Sequence, residues 1–136
     1  MALLDKYLPR YQFSERHRTR VRATPQEVIR AVVSADRPPD RLRDVLLALR
    51  TAPARLLGRE VPQVRIPVFT PLDFDNKNET VAGLIGRFWR LDGGLVSIPD
   101  ADAFTRFAEP STPKLVIGFC ATPDPRGTLL TTETRV

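Results

Sequence analysis

A chain of 136 residues, 42% hydrophobic and 27% charged, has the size and composition of one ordinary globular domain, 1–136. One cysteine excludes an internal disulfide, and one cysteine with one histidine falls short of a Cys/His zinc site. The net charge of +5 is uneven, with 14 bases against 7 acids in residues 1–65 and 7 against 9 in residues 66–136, a mild pointer to anionic partners in the first half.

At the start of the chain, Asp5 and Lys6 stand where a signal peptide needs apolar residues. The longest apolar run, Val45–Leu49, is far too short for a membrane span. Both point to a soluble, cytoplasmic protein. Residues 12–22 alternate sharply, with Arg16, Arg18, Arg20 and Arg22 on one face and Glu15, His17 and Thr19 on the other. Period two predicts a strand. Four stacked guanidinium groups are too costly to bury, so the arginines face water and Glu15, His17 and Thr19 face inward. Thr24-Pro25-Gln26-Glu27 predicts a capped helix start, followed by the apolar stripe Val28, Ile29, Ala31, Val32 and Val33. A second helix is predicted from Asp40 to Leu57, kinked or broken at Pro53.

From Val64 the pattern turns to strands. Val64–Thr70 contains Pro67 and predicts an edge strand, and Asp73–Glu79 a polar turn. Counted from Asp73, the sixth and twelfth positions of an EF-hand fall on Asn78 and Leu84 instead of glycine and glutamate, so a solvated hairpin is the better reading. Thr80–Arg90 is apolar on both faces and predicts a central strand. Leu91–Gly94 reads as a hairpin turn, with Leu95–Ile98 pairing back. Asp102–Ala108 predicts a short helix, Lys114–Thr122 a strand, Asp124–Gly127 a turn and Thr128–Val136 a last strand. The order predicts an α+β fold with an antiparallel sheet.

The first strand ending in Val21-Arg22-Ala23, the helix start Thr24–Val28, the strand Gly83–Trp89 and the late strand Leu129–Val136 resemble the SRPBCC superfamily of START domains, polyketide cyclases and Bet v 1-like proteins, and its small bacterial members most. The resemblance covers most of the chain. It implies a helix-grip fold, a curved antiparallel sheet wrapped toward its helices, with a cavity for a small hydrophobic or amphipathic molecule. It implies no catalytic set. Such proteins continue past this strand with another strand and a long C-terminal helix that closes the sheet and lines the cavity, and this sequence stops at Val136, as a C-terminally truncated or a naturally shortened member would. The implied outcome is an open groove, with Leu115, Ile117 and Phe119 or their opposite-face neighbours left in water, an unpaired edge along the last strand, and dimerisation or marginal stability.

The candidate ligand-binding residues are Glu15, His17, Arg87, Trp89 and Phe119. Glu15 and His17 point the same way and form a polar floor, with the alternative of an acid/base pair in a cyclase- or dehydratase-like enzyme. Arg87 and Trp89 share a face with Gly83 and Ile85. Inward, Arg87 needs Glu15 or Glu133 as a partner; outward, it stands beside the arginine row, and strand parity leaves both open. Glu133 and Arg135 read as a solvated face of alternating charge. Cys120 reads as a buried, inert thiol. The arginine row is the best case for a polyanion-binding module, but the few aromatics fall at apolar positions, which argues against nucleic acid. No metal or cofactor is implied.

Overall fold

A computed structural model describes residues 1–34, 69–87 and 94–136. The predicted helix Asp40–Leu57, the stretch 64–68, Trp89 and the turn residues 91–93 lie outside the described residues.

The elements, in chain order, are α1 (Ala2–Tyr7), β1 (Ser14–Val21), α2 (Pro25–Ser34), β2 (Thr70–Phe74), β3 (Glu79–Gly86), β4 (Leu95–Val96), α3 (Ala101–Arg106), β5 (Lys114–Asp124) and β6 (Gly127–Arg135). The six strands form one sheet in the order β1-β6-β5-β3-β2, with β4 paired to the far end of β3, and every pairing is antiparallel. The α+β expectation therefore holds. β2 begins where the predicted edge strand ends and runs to Phe74. Among the described residues it is an edge strand, which suits Pro71, since a proline has no N–H to give to a second neighbour.

Helices cover both faces of the sheet. On one face, Leu4 of α1 and Phe104 of α3, both fully buried, join Leu72, Val81, Ile85 and Val116. Two glycines make room for them. A Cβ at Gly118 would lie 2.7 Å from Leu4 Cγ, and one at Gly83 would lie 2.7 Å from Phe104 Cε2. On the other face, Val28 and Ile29 of α2 pack on Ile117, Phe119 and Ala121. Burying each such side chain contributes roughly 2 kcal/mol before its entropy is subtracted. The helix start of α2 is closed as predicted. Glu27 Oε2 accepts the Thr24 N–H at 2.8 Å, and the Glu27 N–H donates to Thr24 Oγ1 at 3.4 Å.

Two expectations about the end of the chain are corrected. Leu115, Ile117 and Phe119 are 6%, 2% and 7% exposed and Val116 is fully buried, so no apolar patch is left in water on β5. The cause is the two-sided cover, in which α1 was not foreseen. The last strand is also no edge: β6 lies between β1 and β5, and the outer strand on that side is β1.

Candidate functional site

Strand pairing sets which side chains share a face. His17 lies opposite Thr132, which lies opposite Phe119; Glu15 lies opposite Thr134, which lies opposite Ile117. Glu15, His17 and Phe119 therefore stand on the α2 face. Phe119 is two strand spacings from His17, about 10 Å. Phe119 is buried, while His17 and Thr19 are exposed and Glu15 is half-buried. The inward expectation for Glu15, His17 and Thr19 is right about the face and wrong about the cover. α2 packs over β5 and the near part of β6, and β1 lies beyond it.

Glu15 and His17 meet. His17 Nε2 lies 2.9 Å from Glu15 Oε1, as side chains two apart on a strand can. The second carboxylate oxygen, Glu15 Oε2, is shielded from solvent and has no hydrogen-bond partner among the described residues. A buried carboxylate oxygen without a donor is costly. The result is a shelf at the margin of α2, with Phe13 exposed at one end, Glu15 and His17 in the middle, and the half-buried Thr132 and Leu130 at its back.

Arg87 takes no part. It is exposed just after β3, five residues beyond the Ala82 that continues the Glu15 row, roughly 17 Å along the strand. It pairs with neither Glu15 nor Glu133. Its backbone N–H donates to the Gly94 carbonyl at 2.8 Å, closing the hairpin to β4.

The buried arginine is Arg135, and the reading of Glu133 and Arg135 as a solvated face is overturned. They are 2% and 6% exposed. Arg135 Nε donates to Glu133 Oε1 at 2.7 Å, and its Nη1 donates to Asp5 Oδ1 at 2.7 Å. Arg16 Nε donates to Glu133 Oε2 at 2.9 Å from β1. The Arg135 guanidinium lies 4.6 Å from the centre of the Tyr11 ring. Burial alone would raise the Glu133 carboxyl, but the hydrogen bonds from Arg135 and Arg16 outweigh it and hold the group below its ordinary range. The Arg135 hydrogen bond likewise lowers Asp5. The missed signal is the spacing of Met1, Leu4 and Leu8, which marks one face of a helix that covers this end of the sheet.

Three further acids among the described residues have structural tasks. Glu79 is buried and accepts the Leu3 N–H of α1 at 3.1 Å, satisfying a free amide in the first turn of that helix. Asp73 accepts from Lys6 and, at 3.1 Å, from Tyr7 Oη. Asp75 Oδ1 takes three backbone N–H groups, from Lys77, Asn78 and Glu79 at 2.8, 3.0 and 2.9 Å. The turn read from the sequence is thus held by the Asp75 side chain. Cys120 is half-buried, and burial, then the Glu79 charge, push its thiol up. Comparison of the chain with family models, with curated proteins and with solved structures gives no match.

Proposed function

We propose that this is a binding domain for a small amphipathic molecule, seated on the α2 face with its polar end at Glu15 and His17. The observation that carries the reading is the Glu15–His17 pair, joined at 2.9 Å beyond the cover of α2, with His17 exposed and Glu15 half-buried. The carboxylate accepts hydrogen bonds and the imidazole can donate or accept, so a hydroxyl or an amine suits as the ligand's polar end. Its apolar body would run from Phe13 toward Leu130 and the margin of α2. The antiparallel sheet with α2 against one face supports the helix-grip reading; α1 and α3 on the opposite face are additions that this reading does not call for.

The hydrogen-bonded Glu15–His17 pair also gives an acid/base enzyme its specific support. The two readings separate in one experiment. Small molecules extracted from the natively purified protein are identified by mass spectrometry and titrated back by calorimetry. Glu15→Gln and His17→Ala are each expected to weaken binding by about tenfold or more. If the bound compound is returned chemically altered and neither variant alters it, the domain is an enzyme. If nothing is retained, or both variants bind as the wild type does, the ligand reading is wrong.

A further inference from the structure

One edge of the sheet is formed by β1. Among the described residues β1 pairs on one side only, with β6. Phe13 and Val136 exchange both backbone hydrogen bonds, Phe13 N–H to Val136 O at 3.1 Å and Val136 N–H to Phe13 O at 2.9 Å. In an antiparallel pair these doubly bonded positions recur every second residue. Glu15, His17 and Thr19 therefore turn their backbone groups toward β6. Ser14, Arg16, Arg18 and Arg20 turn theirs outward, to the open edge. The residues whose N–H and C=O groups have no backbone partner among the described residues are thus the ones that carry the arginine row.

Along that row, Arg16 is engaged by the buried Glu133, and Arg20 reaches Asp124 only at 3.4 Å, two-thirds exposed. Arg18 lies opposite Thr131 and is exposed. The arginines repeat at about 6.7 Å, twice the rise of a strand, and side chains on one face of an incoming strand repeat at the same interval. Pairing of two copies along this edge is disfavoured. An antiparallel pairing of two copies that uses most of β1 through its outward groups sets arginine against arginine, and like charges directly opposite repel.

We infer that β1 is a docking edge for an extended acidic peptide, which adds a strand to the sheet and places its aspartates or glutamates, spaced two apart, opposite Arg16, Arg18 and Arg20. Backbone hydrogen bonds supply the register and the alternating acids the selectivity. Glu15 and His17 stand on the other face, so the small-molecule site is not part of this surface.

The test is fluorescence anisotropy of a labelled peptide of about nine residues that alternates glutamate and threonine, with the full protein. Three probes are compared with it: the same composition with its acids in one block, the alternating peptide N-methylated at every second backbone nitrogen, and a single-stranded oligonucleotide of similar charge. The alternating peptide is expected to bind about fivefold or more tighter than the block peptide, and about tenfold tighter than the N-methylated one. Arg18→Glu with Arg20→Glu is expected to lose about tenfold, with the loss shrinking as salt rises. Equal binding of the block and N-methylated peptides would reduce the effect to bulk charge and overturn the proposal. So would tighter binding of the oligonucleotide, or no peptide binding. If the double variant fails to fold, the N-methylated probe on the unaltered protein decides.

Discussion

Arg135 shows how much one residue can hold together. It joins β6 to α1 through Asp5 and shares Glu133 with Arg16 of β1. Arg135→Ala leaves the Glu133 carboxylate buried with one guanidinium instead of two. A loss of about 3 kcal/mol or more is expected in urea unfolding, against roughly 1 kcal/mol or less for Arg18→Ala on the exposed row. The same network sets an acid limit. An acid held below its ordinary value binds protons more weakly in the folded chain than in the unfolded one. The Glu133 contribution is therefore complete above the unfolded glutamate value of about 4.3 and is lost as pH falls through the lower folded value. Urea midpoints measured from neutral pH downward are expected to fall chiefly in that acid range, and the fall should shrink in Glu133→Gln. At Cys120, burial and the nearby Glu79 keep the thiol protonated at neutral pH. A thiol reagent is expected to label it far more slowly in the folded protein than in urea.

Elements were legible where local chemistry decides them. The Thr24/Glu27 box defines the start of α2, the alternation of 12–22 defines β1, and the Asp124–Gly127 turn joins β5 to β6. What sequence alone leaves open is decided by contacts between distant parts of the chain. Burial of Glu133 and Arg135 depends on α1 lying over them, from more than a hundred residues away. Arg87 is charged within an apolar run, but the run ends as a strand at Gly86, which leaves Arg87 in water. For the site, Glu15 and His17 were legible as a pair and Phe119 shares their face, while the lack of a hydrogen-bond partner for Glu15 Oε2 among the described residues is visible only in three dimensions. Gly118 looks like a weak point in a strand, yet it is the seat of Leu4. Gly118→Ala is expected to cost about 1–3 kcal/mol by forcing α1 off the sheet, a larger loss than the roughly 1 kcal/mol of Thr24→Ala at the α2 cap. Thermal or urea unfolding ranks the two.

At the scale of the molecule, cover on both faces distinguishes this sheet from one that keeps a bare side. α1 is short, but it is pinned at three points, by Glu79 to the Leu3 amide, Asp73 to Lys6 and Tyr7, and Arg135 to Asp5. Removing residues 1–8 is expected to uncover Val81 and Val116, leave Glu79 and Arg135 short of partners, and abolish a single cooperative transition. Stronger binding of an apolar-surface dye by the shortened chain than by the full one would register the exposed face. No described helix is long and apolar enough to cross a membrane.

The place of β6 between β1 and β5 has a consequence for the order of events as the chain leaves the ribosome. β1 emerges early, and the only strand it is paired with among the described residues follows more than a hundred residues later, as the Arg16–Glu133 contact spans 117 positions. Until then it has no strand partner among the described residues, and an arginine-rich strand is a poor template for wrong pairing. The closing step joins the two ends of the sequence and bears the largest loop-closure entropy, so it should come late. In refolding with pulsed hydrogen exchange, amides shared by β3 and β5 should gain protection first, and those of β1 and α1 last and together.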